Sequence, residues 1–378
     1  MREGWRKVTL GRVCLLHYGK ALPASERRHG LVPVAGSSGR FAWHDDANTE
    51  TGPSVVVGRK GTAGSVTWFE TPTWVTDTAY WAEPLEGIDI RCLRLILEAA
   101  DLPSHTAQTG VPGLNRDRAY AIPIALPPLD EQQRIVDLIA AVDDAIDAAE
   151  AEEAMSEQTA ESLLAHHFAG QVRTRPLMQL ADITDCEHRT APATQDVPYA
   201  FSVGTPAVRA GEFRFDQAKP IDHATYEGWT QRRPPGVGDI VLTREAPAGE
   251  AAVVRADDPP IALGQRTVLI SPREELTSEY LWLALLAPST RRWIASHSIA
   301  QTVTRINVSR IKAIPVEVRS LAEQADIVAV CAPARTAAAK VAAEARALRS
   351  LRSNLLTVLL SGEHEIPSSY DRFLEEAA

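Results

Sequence analysis

Asn115 to Gly170 reads NRDRAYAIPIALPPLDEQQRIVDLIAAVDDAIDAAEAEEAMSEQTAESLLAHHFAG, and Asn307 to Gly362 reads NVSRIKAIPVEVRSLAEQADIVAVCAPARTAAAKVAAEARALRSLRSNLLTVLLSG. Laid over each other at an offset of 192 without a gap, the two stretches are identical at 17 of 56 positions. Alanine-rich helices match by composition alone. Composition does not, however, bring Asn115, the Ala121-Ile122-Pro123 triplet, Glu131-Gln132 and Gly170 onto Asn307, Ala313-Ile314-Pro315, Glu323-Gln324 and Gly362 at one offset. The chain is a tandem duplication.

Each copy reads as a short strand followed by a long helix. Ile122 to Leu126 ends at Pro127-Pro128, after which Ile135, Leu138, Ile139, Val142, Ile146 and Ala149 recur at three and four residues, continuing to Leu163, Leu164 and Phe168. A helix of about 39 residues is about 58 Å long, the length of a spacer. Pro333 in the second copy is expected to kink its helix or delay its start, and Arg319-Ser320 replaces the Pro-Pro of the first copy. Antiparallel packing spares residues 171–306 from bridging the helix length. The charges agree: residues 129–170 hold 11 acids and only Arg134, whereas the second helix carries Arg335, Lys340, Arg346, Arg349 and Arg352. A solvated face or a docking surface for another subunit explains the excess acids equally well.

The formal charge of −10 argues against a nucleic-acid binder until it is located. Residues 1–128 hold 14 basic and 13 acidic side chains and residues 171–320 hold 18 and 17, so the large segments are nearly neutral. They are rich in arginine, a residue suited to guanine and phosphate, although a GC-rich genome yields the same bias. Faint similarity links them. Pro53 to Trp68 and Gly238 to Val254 both read as two strands around a Gly-rich turn, and Arg59, Ala63 and Gly64 fall on Arg244, Ala248 and Gly249. The expected fold is mixed α+β. Two globular α/β domains, residues 1–128 and 171–320, are separated by two long antiparallel coiled-coil helices, residues 129–170 and 321–378 with the C-terminal tail, as a pseudo-two-fold internal repeat.

Catalytic motifs are missing. Asp258-Pro259-Pro260 hints at a base-flipping methyltransferase loop, but Ile261 stands where an aromatic residue must stack on the base. None of the six lysines has an acid two residues before it, as the commonest restriction nucleases require. Gly58-Arg59-Lys60-Gly61 lacks the spacing of a phosphate loop. Cys14, Cys92, Cys186 and Cys331 lie far apart and read as small buried hydrophobes, while His166-His167 and Glu187-His188 have no partners at metal-ligand spacing. No basic stretch followed by an apolar run opens the sequence, and a cytoplasmic protein without cofactor or metal of its own is expected.

Gly113-Leu114-Asn115-Arg116 followed by the run Ile122 to Val136, with its Pro-Pro-Leu-x-Glu-Gln-x-x-Ile-Val pattern, resembles the junction in specificity subunits of type I restriction-modification enzymes. Gly58 to Gly61, Thr76-Asp77-Thr78 and Gly236 to Arg244 are similar to parts of that family's target-recognition domains. The resemblance implies a non-catalytic subunit that binds double-stranded DNA, one recognition domain per half of a bipartite site. It further implies that two methyltransferase subunits dock on the helical stem, that a restriction/translocase subunit is a further partner, and that S-adenosylmethionine and ATP bind those partners. Loop residues with the chemistry to touch bases or phosphates are Ser37, Ser38, Arg59, Lys60, Thr62, Thr76 and Asp77 in the first domain, and Arg244, Gln265, Arg266, Thr302 and Arg305 in the second. Trp43, Trp68 and Trp229 read as core. A single-chain DNA methyltransferase and a coiled-coil adaptor that binds only proteins are the rival readings.

Overall fold

The computed structural model describes residues 4–50, 52–106, 113–169, 172–299 and 305–367. The two duplicated stretches form continuous helices, Leu129–His167 and Leu321–Leu360, whose first residues stand at the same repeat position. The strand ahead of each is also kept: Pro123–Leu126 pairs with Arg6–Thr9, and Pro315–Glu317 with Thr174–Pro176. By compactness the chain forms two units. One unit comprises Met1–Asp147 with Ala347–Ala378 and the other Ala148–Arg346, so each unit takes part of both long helices.

In the first unit Cys14–Tyr18, Ala79–Pro84, Ser54–Gly58 and Val66–Phe69 lie side by side in an antiparallel sheet. A second sheet places Val32–Gly36 between Gly39–His44, antiparallel, and Trp74–Val75, parallel. The other unit repeats this order with Ala181–Asp185, Thr267–Pro272, Ile240–Thr243 and Ala251–Val253, and with Ala200–Val203 between Lys219–Ile221 and parallel Ile261–Leu263. The Gly-rich turns superpose bond for bond. Gly64 N donates to Gly58 O (2.8 Å) and Gly249 N to Thr243 O (3.0 Å), with φ of +87° and +96°. A Cβ on Gly64 would come within 2.5 Å of Pro103 N, so glycine is required there. The second unit adds a hairpin, Val208–Arg209 with Glu212–Phe213, and the helix His223–Trp229.

Each head packs its own half of the helix pair into one core. In the first unit Ile135, Val136, Ile139, Leu356 and Leu359 join Leu16, Val55, Val57, Leu93 and Ile96. In the second, Leu164, Phe168, Ile327 and Cys331 join Leu242, Val268, Leu281 and Leu285. Both units hold the helices antiparallel. In the first, Arg134 Nη2 donates to Ile366 O (2.9 Å) while Asp143 pairs with Arg352 (3.2 Å for Nη2 to Oδ2). In the second, Glu157 takes Arg335 at 2.7 Å and His167 O accepts from Arg319 at 2.8 Å. Acid on the first helix thus meets base on the second in each unit. Arg335 is 1% exposed and spends a further N–H on Ala210 O (3.0 Å).

The fourth residue of each long helix is a buried glutamine. Gln132 accepts from Asp89 N (2.9 Å) and donates to Gly87 O and Pro127 O, both at 3.1 Å. Gln324 accepts from Thr277 N (2.9 Å) and donates to Glu275 O (2.8 Å) and Arg319 O (3.0 Å). Asp89 and Thr277 in turn cap the helices Ile90–Ala99 and Ser278–Leu286 of their heads. One amide therefore fixes a head helix against a stem helix in both copies.

Pro333 does not delay its helix, which runs through it from Leu321. Ser320 makes up for the missing Pro-Pro: its N–H and hydroxyl both donate to Glu323 Oε2 (2.9 and 2.7 Å), and Glu323 N returns to Ser320 Oγ (3.3 Å). This capping box starts the helix a full three turns before the proline, which then removes one backbone donor from an already anchored segment.

Burial pushes the thiols of Cys14 and Cys92 up to about 12, and all four cysteines are free and buried. Cys14 and Cys92 should therefore resist iodoacetamide at pH 8 in the native protein and react once it is unfolded, as mass spectrometry of the labelled peptides will read. Gln132→Ala strands a backbone N–H and two carbonyls and should lower stability by about 3 kcal/mol in urea unfolding. Replacement of exposed Gln133 by Ala should stay within about 0.5 kcal/mol.

Candidate nucleic-acid interface

The loops following the central sheets carry most of the expected contact residues. In the first head the turn after Ser54–Gly58 is tied to its neighbours by backbone: Arg59 N and Lys60 N both donate to Thr78 O (2.9 and 3.0 Å), and Leu114 N donates to Arg59 O (2.9 Å). Arg59 Nη1 donates to Asp77 O (3.0 Å), and Lys60 Nζ lies 3.9 Å from Asp77 Oδ2, both side chains half-exposed. Ser37 N donates to Thr78 Oγ1 (3.3 Å), and Ser37 O accepts from Ser65. Ser37, Arg59, Lys60 and Asp77 therefore meet at one corner, with Ser38 and Thr62 exposed on adjoining turns. Thr76 is placed differently. It is buried, and its hydroxyl donates to Ala35 O (3.1 Å), so it holds the loop from within.

The second head uses the same scaffold with other chemistry. Ile306 N donates to Arg244 O (2.9 Å), as Leu114 N does to Arg59 O in the first head. Arg244 Nη1 is 2.6 Å from Asp185 Oδ1 with both side chains largely buried, and Arg266 Nε is 3.1 Å from Glu245 Oε2. Gln265 Nε2 donates to His188 O (3.2 Å) beside a cavity of about 310 Å³ that Lys219 and Arg266 also line. Arg305 is exposed and bridges Glu245 and Ile299 through its backbone, while Thr302 lies outside the described residues.

Two further residues matter that sequence reasoning passed over. Tyr18 and Arg116 line a cavity of about 590 Å³ with Arg59, Lys60, Tyr80 and Leu114. Tyr80 donates its hydroxyl to Leu114 O (3.1 Å); burial pushes its phenol up while Arg59 pulls it back. Arg116 carried a signal, since Val308 takes its place in the otherwise similar second copy. Tyr18 lies outside the gap-free repeat and carried none.

Two expectations need correction. Trp43 is 48% exposed on its strand with Arg40 at 4.5 Å from its ring, whereas Trp229 is partly buried against Ala191, Ala200, Ile221 and Ala262, with Arg189 at 4.2 Å. The exposed position of Trp43 leaves room for a cation–π pair instead of a core. His188, which spacing left without partners, is met by Asp185 Oδ2 at Nε2 (3.0 Å) and by Cys186 Sγ at Nδ1 (3.9 Å) because the chain turns back at φ +54°. Although the three donors lie within 4.8 Å of one another, opposite ring nitrogens face the other two ligands and Arg244 occupies Asp185. A cation would compete with a guanidinium there, so the cluster reads as an ion-pair network.

Residues 2–155 match the family described as the type I restriction modification DNA specificity domain. Over that stretch the chain is similar to specificity subunits of type I restriction-modification systems. Its fold is similar to the S subunit of the type I restriction-modification system from M. genitalium, with a TM-score of 0.61 at 13% identity, covering 96% of this chain and 97% of that one. The HsdS subunit from Thermoanaerobacter tengcongensis aligns at 16% identity over 96% and 98% of the two chains, with a TM-score of 0.36. None of the curated proteins matches the sequence. Among the described residues no helix is long and apolar enough to cross a membrane.

Asp185→Ala should strand the Arg244 guanidinium and lower stability by about 2 kcal/mol in chemical denaturation. The Asp185→Ala/Arg244→Ala double variant should recover part of that loss, which a double-mutant cycle will show.

Proposed function

We propose that this chain is the non-catalytic, sequence-reading subunit of a type I restriction-modification complex. Each head binds one half of a bipartite site on double-stranded DNA, and the helix pair sets the gap between the halves. One observation carries this reading: a single strand order occurs twice, each time clamped by a glutamine to a long helix, while the loop side chains differ. Equal scaffolds with unequal loops suit two half-sites of different sequence. Ser37, Ser38, Arg59, Lys60, Thr62 and Asp77 serve the first half, and Gln265, Arg266 and Arg305, with Thr302, the second. Thr76 and Arg244 position these loops. Methyltransferase subunits, two in number, dock along the helices and bring S-adenosylmethionine; a restriction/translocase subunit brings ATP.

The ruler role is tested in cells by sequencing methylated bases. Deleting a matched turn from a stem helix should change the number of bases between the half-sites and leave each half's sequence as it was; unchanged spacing with methylation intact would refute the ruler. Methyl transfer to DNA by the purified chain alone would refute the non-catalytic assignment.

A further inference from the structure

The cavity at Tyr18 contains more positive charge than its surroundings neutralise. The Arg59 guanidinium carbon stands 4.9 Å from the Tyr18 ring centre and 5.8 Å from that of Tyr80. Arg116 approaches the same Tyr18 ring at 5.0 Å and Tyr120 at 6.0 Å. Neither arginine has a carboxylate within 4.0 Å among the described residues. Arg59 spends one N–H on a backbone carbonyl, and the enclosed Nε of Arg116 meets no acceptor. Lys60 adds a third cation, held loosely by Asp77 at 3.9 Å, and among the described residues Asp117 is the one acid lining the cavity.

A guanidinium stacked over a ring is oriented without using its N–H edge, which stays available for an in-plane, bidentate bond to an oxyanion. Two such groups sharing one tyrosine repel each other until an anion lies between them. A phosphate offers several oxygens to two guanidinium edges at once.

The second head supplies an internal comparison. Tyr18 pairs with Tyr80 in the strand register in which Asp185 pairs with Val268, so Asp185 takes the tyrosine's place. Arg244 takes the place of Arg59 and is neutralised by that aspartate at 2.6 Å, and Val308 replaces Arg116. The charge is unspent in one head and spent in the other.

We infer that the Tyr18–Arg59–Arg116 cavity of the first head is a phosphate-binding site without a counterpart in the second; on the DNA-reading proposal above, its ligand is a backbone phosphodiester. Arg116 then anchors the duplex without reading bases.

The test uses the full chain and a labelled duplex of mixed sequence, with anisotropy followed across salt concentration. Arg116→Gln should weaken binding several-fold and reduce the slope of log K against log salt by about 0.9, the value of one lost phosphate contact. Arg116→Lys should restore the slope. A second arm replaces the duplex with inorganic phosphate at constant ionic strength: it should raise the melting temperature of the wild-type chain above that in chloride, and do so less for Arg116→Gln. An unchanged slope in Arg116→Gln overturns the assignment of a DNA phosphate to this cavity. Phosphate protection in a chain that retains no duplex supports the cavity and removes the DNA reading; equal protection of wild type and Arg116→Gln overturns the cavity itself.

Discussion

A buried side-chain amide at the fourth position of each long helix is the contact on which the rest depends. Gln132 and Gln324 each accept one backbone N–H and donate to two backbone carbonyls, joining the N-cap of a head helix to the first turn of a stem helix. A backbone group left unpaired in such a place carries its full desolvation penalty, so the joint tolerates little variation. Its survival in both copies, where only 17 of 56 positions agree, is accounted for by that geometry.

Around the joint, charge sorts the helices. The first long helix is almost wholly acidic and the second supplies the bases, and Asp143–Arg352 and Glu157–Arg335 are what this becomes in the two units. Asp143 and Arg335 occupy the same repeat position with opposite sign. The duplication has thereby diverged from two copies that would pair equally with themselves into two that match each other, a specificity device more than a source of stability.

The heads diverge in the other direction. Their sheets keep one order and one pair of glycine-dependent turns, while a single corner has changed from Tyr18, Arg59 and Arg116 to Asp185, Arg244 and Val308. A strand end fixes where a side chain emerges and leaves its chemistry free. Function changes there without disturbing the core.

The sequence by itself determined the duplication, the two long helices and the start of the first, the hairpins around Gly64 and Gly249, and the family resemblance, because periodicity, turn glycines and a fixed offset are local signals. The capping by Ser320 was also written in the sequence as a Ser-x-x-Glu box, outweighing the Pro333 breaker signal. Only the tertiary structure decided that Gln132 and Gln324 are clamps, that Thr76 faces inward, that His188 meets Asp185, and that Tyr18 and Arg116 share a cavity. Those outcomes join residues that are distant along the chain, such as Tyr18 and Arg116, or that turn on backbone angles, such as φ of +54° at His188. One-dimensional spacing has no term for either.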